Sequence, residues 1–194
     1  SPVGVRMEIS GSGMYEIDPR GRRIEVVQRP VDERQFEESL LGPPLILALA
    51  LQDVWCLHAS AVRYRESCLV FLGDSGRGKS TLAAYLAGQA GCSLVSDDIL
   101  PIESYAGQVR AYANFPQLKL PVDGVGERQD GPIQVCGFFL LEETPQVAMV
   151  EVEKGMAATT LIHNTVAARA FNQELLADHL DFCIQAAMNV PIYR

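Results

Sequence analysis

The stretch Gly73-Asp74-Ser75-Gly76-Arg77-Gly78-Lys79-Ser80, followed by Thr81, decides the fold of this 194-residue chain. It matches the Walker A or P-loop pattern G-x-x-x-x-G-K-[ST], whose glycines let the backbone curl so that successive N–H groups point at phosphate oxygens. An apolar strand, 68–72, precedes it, and a helix rich in Ala and Leu follows from Lys79 to about Gly88. The positive end of that helix faces the same anion. The sequence therefore predicts that residues Gly73 to Thr81 bind the phosphates of ATP.

Two side chains of this loop carry specific expectations. The Lys79 ammonium is expected to reach the β- and γ-phosphates, and the Ser80 hydroxyl to ligate Mg²⁺. The chain has only three lysines, at 79, 119 and 154, against 13 arginines. Because lysine is so scarce, its occurrence inside the motif strengthens the prediction of a nucleotide site.

Asp97 and Asp98 end the short strand that follows the loop's helix, 18 residues after Lys79. A helix, a turn and a strand use up that separation, so the strand end is expected to return beside the loop. Adjacent strand residues point to opposite sides, which predicts separate roles for the two carboxylates. One is expected to hold Mg²⁺ with Ser80 and the other to accept the proton of an incoming hydroxyl. The alternative is that one aspartate holds the metal and the other is exposed without a role, as in an enzyme that only hydrolyses ATP.

His58 lies on a segment, Trp55 to Val62, whose alternating pattern predicts one strand of a hairpin with 68–72. With the turn centred near Arg65, position 58 should pair with about position 72, at the mouth of the phosphate loop. The imidazole is thus a candidate for contact with the phosphates. A structural hydrogen-bond donor is the alternative for a lone histidine on a strand.

The rest of the chain predicts a single domain, 1–194, of mixed α/β (α+β) type. Residues 1–40 have the pattern of an N-terminal β-meander, and 41–194 form the P-loop core. Within the core, the expected helical segments are 32–53, 157–171 and 173–189, and the later strands are 108–112, 134–141, 147–153 and 190–193.

Composition excludes several classes of function. The formal charge is −8 and the pI is near 4.9, the opposite of what duplex or anionic-membrane binding favours. The longest apolar run, Leu45 to Leu51, is far too short to span a bilayer. We therefore expect neither a nucleic-acid nor a membrane partner. For a substrate, the acidic balance favours a neutral or basic molecule.

The five cysteines, at 56, 68, 92, 136 and 183, are odd in number and show no paired spacing. This pattern is typical of buried free thiols in a reducing compartment, and not of a disulfide framework or a zinc site. The sequence accordingly predicts a cytoplasmic protein.

Three stretches together resemble a known family: Leu57-His58-Ala59-Ser60-Ala61-Val62, then Phe71 to Ala83, then Leu94-Val95-Ser96-Asp97-Asp98. They are similar to the C-terminal kinase domain of HPr kinase/phosphorylase, and more closely to short stand-alone HPr-kinase-like proteins, including those that phosphorylate lasso-peptide precursors. The resemblance covers about 40–102 well and the rest loosely, through 116–120 and 190–194.

This resemblance implies a fold akin to phosphoenolpyruvate carboxykinase. It also implies a serine phosphotransferase that moves the γ-phosphoryl group of ATP to a hydroxyl on a peptide or small protein. In that family's scheme Asp97 is the catalytic base, Asp98 and Ser80 are tied to Mg²⁺, and His58 helps Lys79 hold the transferred group.

Several alternatives stay open at this point. The chain has no counterpart of the family's Arg-Gly-Leu-Gly stretch, so phosphorylase activity and HPr as a substrate are not implied, and pyrophosphate is an alternative donor. A second cation is unassigned, with Lys119, Arg110 and Arg128 as candidates. Rival functions are a regulatory ATP-binding or ATPase module and a small-molecule hydroxyl kinase. The sequence also leaves a homo-oligomer open.

Overall fold

A computed structural model describes residues 4–113, 115 and 131–194 and has a mixed α/β architecture with two sheets. The smaller sheet is antiparallel and contains β1 (Val5–Ile9), β2 (Gly13–Ile17) and β3 (Ile24–Gln28) in chain order. Its inner face buries Tyr15 and Ile17. The expected N-terminal strands therefore lie here as one small sheet.

Two helices connect this sheet to the larger one. Helix α1 (Glu33–Leu41) begins where the Asp32 side chain accepts a hydrogen bond from the Gln35 N–H at 2.7 Å. Helix α2 (Pro43–Ala50) carries its prolines in the first turn, where no intrahelical N–H is needed. Most of α2 is buried, and it packs between the small sheet and the main core.

The larger sheet carries the phosphate loop. Its strands follow the spatial order β4-β8-β9-β10-β6-β5-β7, with β11 added beside β10. The β10–β6 and β10–β11 pairs are parallel and the others antiparallel. The strands are β4 (Trp55–His58), β5 (Ser60–Tyr64), β6 (Ser67–Leu72), β7 (Cys92–Ser96), β8 (Ile99–Tyr105), β9 (Gln108–Ala111), β10 (Ile133–Leu140) and β11 (Ile192–Tyr193).

The larger sheet curls until its two ends meet. Strand β4, at one end of the order, runs into β5 through Ala59, and β7, at the other end, runs into β8 through Asp97 and Asp98. The antiparallel register is the same on both sides of this junction, with His58 opposite Ile99 and Ala61 opposite Ser96. The Ala59 N–H donates to the Asp98 carbonyl at 3.2 Å, so the pairing also continues across the junction. We call residues 59–60 and 97–98 the strand junction.

Helices cover both faces of the larger sheet. Helix α3 (Lys79–Ala87) packs on one face, where Val62, Phe71 and Ala83 form a core. Helices α4 (Lys154–His163) and α5 (Gln173–Asn189), joined through a short 3₁₀ helix (Ala168–Ala170), pack on the other. The strict alternation of β6 supplies both cores, because successive side chains point to opposite faces.

Two predicted strands differ from the structure. The single strand expected at 55–62 is interrupted at Ala59, so His58 belongs to β4 and pairs with β8, and the hairpin with β6 is made by β5 alone. The segment 147–153 forms only a bridge, between Glu151 and Tyr193, flanked by main-chain hydrogen bonds of Val150 with Arg194 and of Val152 with Ile192. The start of the segment lies outside this pairing, and Val147 is fully exposed there.

All five cysteines are free thiols, and Cys56, Cys68 and Cys183 are buried as expected, whereas Cys136 is exposed. Across residues 4–113, 115 and 131–194, none of the helices combines the length and the apolar content that a bilayer crossing requires.

The buried histidine of α5 gives the fold a pH dependence. His179 is 2% exposed, lies against the Trp55 and Phe171 rings, and its Nε2 contacts the Thr165 hydroxyl at 2.8 Å. Burial lowers the pKa of this imidazole from its ordinary value of 6.5. Below that value the unfolded chain binds a proton that the folded state resists, so this contribution to stability is complete at neutral pH and is lost as the pH falls.

We therefore expect the free energy of unfolding of wild type to fall more steeply between pH 7.5 and 5 than that of His179→Gln. Urea denaturation across this range measures the difference. His163→Gln, at an exposed position of α4, is the control and should follow the wild-type slope. Equal slopes for wild type and His179→Gln would contradict the assignment.

Candidate functional site

The phosphate loop lies between the end of β6 and the start of α3. Three of its glycines have positive φ, 130° at Gly73 and 85° at both Gly76 and Gly78, a region that other L-residues rarely adopt. A Cβ atom at Gly73 would lie 2.8 Å from the Leu141 carbonyl oxygen, whereas at Gly76 and Gly78 it would meet nothing within 4 Å. The first residue of the loop thus packs tightly against the chain at the end of β10, whereas Gly76 and Gly78 leave room for a ligand.

Lys79 is the buried cation of the loop. Its side chain is at the first turn of α3, the residue is 6% exposed, and Nζ donates to the Gly73 carbonyl at 2.6 Å and to the Asp74 carbonyl at 3.1 Å. Burial lowers the pKa of this ammonium, and the negative charges of Asp74, Asp98 and Asp97 oppose that shift. The ammonium is therefore held in place by backbone oxygens, in the field of three carboxylates.

The strand junction places two carboxylates opposite the loop. Asp98 has a φ of 88°, which breaks the strand between β7 and β8. Asp97 Oδ1 accepts a hydrogen bond from the buried Ser60 hydroxyl at 2.6 Å, and Asp98 Oδ1 lies 3.3 Å from His58 Nδ1. The expectation that the two acids point to opposite sides is wrong, because the backbone is not extended at Asp98. The two carboxylates share one cleft but have different partners.

This cleft has a volume of about 320 Å³ and lies between the phosphate loop and the strand junction. It contains a cation, hydroxyl groups, an imidazole and two carboxylates, together with the N-terminus of α3. Its lining residues are His58, Ser60, Ser75, Gly76, Gly78, Lys79, Ser80, Thr81, Asp97 and Asp98.

Other predicted site residues lie elsewhere. Arg77 pairs with Glu143 through Nη1 and Oε2 at 2.6 Å, so its side chain is directed away from the cleft. Arg110 lies on β9 with its guanidinium 4.3 Å from the centre of the Tyr105 ring and does not line the cleft. The other two candidates for the second cation, Lys119 and Arg128, lie outside the described residues.

His58 reaches the cleft by a route that differs from the expected hairpin. Its strand pairs with β8, and its N–H donates to the Asn164 carbonyl at 2.7 Å. The junction then carries the chain from His58 to Ser60, which is paired with Phe71 near the end of β6. His58 is therefore positioned by two neighbouring segments and not by the turn near Arg65.

Two polar residues at the site were not predicted from the sequence. The sequence does contain a signal for Ser60, because this residue follows His58 by two positions on the same polar face of the alternating pattern. Asn164, at the C-terminal end of α4, accepts a hydrogen bond from the Gly73 N–H at 3.2 Å. It lies 91 residues from Gly73 in the sequence, and no local pattern marks it.

The donor set fits a nucleotide with a magnesium ion. Mg²⁺ is usually held by one or two protein oxygens together with phosphates and water, and the Ser80 hydroxyl and the Asp98 carboxylate both line the cleft. In the described part of the chain, no three His, Cys, Asp or Glu side chains form a metal site of their own. Such a site is not required where phosphates supply the remaining ligands.

No protein-family model matches this sequence, and no curated protein matches it. Solved structures do match, and one of them is the HPr(Ser) kinase/phosphatase from Coxiella burnetii. The two chains are 16% identical with a TM-score of 0.37, and the match covers 50% of this chain and 75% of that one. A likeness this distant assigns neither a family nor an activity to the chain, so function has to be inferred from the cleft.

The close contact at Gly73 predicts a loss of stability on substitution. Gly73→Ala should lower the free energy of unfolding by roughly 1–3 kcal/mol, because it combines a positive φ with overlap against the Leu141 carbonyl. Gly155→Ala is the matched control, since a Cβ on this residue of α4 meets nothing and its φ is not positive. Urea denaturation of both variants measures the effect. A free energy of unfolding for Gly73→Ala equal to that of wild type would contradict this loop geometry.

Proposed function

We propose that this protein is an ATP- and Mg²⁺-dependent kinase that transfers the γ-phosphoryl group to a serine hydroxyl on a peptide or small protein. One observation carries the proposal: the cleft combines Lys79 and Ser80 of the phosphate loop with two carboxylates that have separate partners. A metal-binding acid alone would suffice for hydrolysis. A second acid, oriented by its own hydrogen bond, favours a base for an acceptor hydroxyl.

Asp97 is the base in this proposal. The Ser60 hydroxyl donates to Oδ1 and so fixes the orientation of the carboxylate, which lets Oδ2 accept the proton of the serine hydroxyl. Asp98, beside His58, would hold the metal together with Ser80. The assignment of Asp97 as base and Asp98 as metal ligand follows the sequence resemblance, and the hydrogen bond from Ser60 supports it by orienting Asp97.

ATP supplies the phosphoryl group and Mg²⁺ neutralises charge on the phosphate oxygens. The chain's own contribution is positioning and electrostatics. The backbone N–H groups of the loop and the N-terminus of α3 bind phosphate oxygens, and the Lys79 ammonium places a positive charge beside them. His58 lies next to Asp98 and would contact the group being transferred.

The substrate class follows from charge as well as from the site. With a net charge of −8, the protein repels acidic partners, so a neutral or basic peptide is the favoured acceptor. A peptide-natural-product precursor, as the sequence resemblance implies, is one such substrate.

Incubation with γ-labelled ATP and a serine-containing peptide tests the proposal against its rivals. Label on the peptide supports the kinase. Free phosphate as the sole product would indicate an ATPase module, and a labelled metabolite would indicate a small-molecule kinase. Mass spectrometry of a peptide encoded beside the gene, before and after incubation, would identify the acceptor.

Two substitutions should separate nucleotide binding from transfer. Lys79→Ala removes the cation that faces the phosphates and should abolish transfer and greatly weaken Mg-ATP binding. Asp97→Asn removes the base and should abolish transfer while Mg-ATP binding stays close to wild type. Isothermal titration and the labelling assay measure the two effects, with Lys154→Ala, an exposed residue of α4, as the control. Normal transfer by Asp97→Asn would show that Asp97 is not the base.

Ser60→Ala tests the orientation of Asp97. Loss of the hydrogen bond to Oδ1 should lower kcat about fivefold, corresponding to about 1 kcal/mol, without changing the KM for ATP. Ser104→Ala, at an exposed position of β8, is the matched control. A raised KM for ATP with unchanged kcat would instead place Ser60 in nucleotide binding.

A further inference from the structure

Asn164 joins three parts of the molecule that meet at the cleft. It ends α4, its side-chain oxygen accepts the Gly73 N–H at 3.2 Å, and its main-chain carbonyl accepts the His58 N–H at 2.7 Å. We propose that Asn164 is a positioning residue of the nucleotide site, which holds the first residue of the phosphate loop and the strand of His58 in one fixed arrangement. Its effect on catalysis rests on the proposed function.

The amide of Asn164 has a defined orientation. Its Nδ2 donates to the Thr160 carbonyl at 2.8 Å, one turn back in α4. This contact leaves Oδ1 to face the loop, where it accepts from Gly73. An aspartate would keep an acceptor for the Gly73 N–H but could not donate to the Thr160 carbonyl, whereas an alanine would remove both hydrogen bonds.

Gly73 transmits the position of Asn164 to the catalytic cation. The N–H of Gly73 is bound by Asn164 and its carbonyl is bound by Lys79 Nζ at 2.6 Å. The Gly73 backbone also lies close to the Leu141 carbonyl, so Asn164 and Leu141 position it together. The Asn164 side chain therefore helps to determine where the Lys79 ammonium lies.

The same contact affects which loop amides can bind phosphate. The Gly73 N–H is used internally by Asn164, so the phosphate-binding N–H groups come from the later part of the loop, where Ser75, Gly76 and Gly78 line the cleft. A loop released at Gly73 would shift these groups relative to Lys79 and to the strand junction. We therefore expect the main effect to be weaker nucleotide binding, with a smaller effect on the rate of phosphoryl transfer.

Hydrogen exchange of the Gly73 amide, followed by NMR in the nucleotide-free protein, tests the contact itself. In Asn164→Ala the protection factor of this amide should fall at least tenfold, whereas Asn164→Asp, which keeps an acceptor and loses only the donation to Thr160, should retain more protection than Asn164→Ala. Asn189→Ala, at the exposed end of α5, is the matched control and should keep the wild-type protection. Unchanged protection in Asn164→Ala would overturn the proposal.

Binding and kinetics test the role in the nucleotide site. Asn164→Ala should raise the Kd and the KM for Mg-ATP about fivefold to tenfold, as expected for one lost hydrogen bond, with a smaller change in kcat. Loss of Gly73 protection with an unchanged Kd would show that Asn164 is merely structural and would overturn the proposal. If Asn164→Ala does not fold, Asn164→Gln, which displaces the acceptor by one methylene, should show the same changes.

Failure of the proposed function gives a different result. If wild type binds no Mg-ATP or transfers no phosphoryl group, the kinase proposal fails whatever the exchange data show. The exchange experiment still decides whether Asn164 holds Gly73, because it needs no nucleotide.

Discussion

The site depends on the antiparallel pairing of two long strand segments, β4–β5 with β7–β8, whose register is kept across the junction and shifts by one residue between Ala61 and Val62. The curl of the sheet brings its two ends together at the junction, where the extended backbone is interrupted at Asp98. This interruption directs both Asp97 and Asp98 into the cleft with the phosphate loop. A regular strand would have placed only one of them there. The local strain of a positive φ is thus coupled to the chemistry that the cleft can support.

Much of the fold follows from local sequence signals. The apolar strand, the glycine-rich loop and the helix at Lys79 are contiguous, so hydrophobic pattern and glycine spacing suffice to predict them. The interruption at Ala59 could not be predicted, because the alternating pattern continues through it. The place of β10 beside β6 also could not be predicted, because this parallel pairing joins residues about seventy positions apart. Long-range pairing leaves no periodic signal in either strand.

The residues of the candidate site also divide into those that the sequence predicts and those that it does not. The loop residues and the two aspartates are predictable because each motif is short and each residue type has a chemical reason to be there. Ser60 and Asn164 are positioned by tertiary structure, and their hydrogen bonds to Asp97 and Gly73 join residues far apart in sequence. Sequence reasoning therefore finds the groups that would contact ATP more readily than the groups that orient them.

The most direct test of this account is a crystal structure of the protein with Mg²⁺ and a non-hydrolysable ATP analogue. The account predicts a triphosphate bound by the N–H groups of residues 75–80 and by Lys79, with Mg²⁺ on Ser80 and Asp98. It also predicts that the Asp97 carboxylate faces the space beyond the γ-phosphate. An analogue bound elsewhere, or an Asp97 side chain turned away from the γ-phosphate, would contradict it.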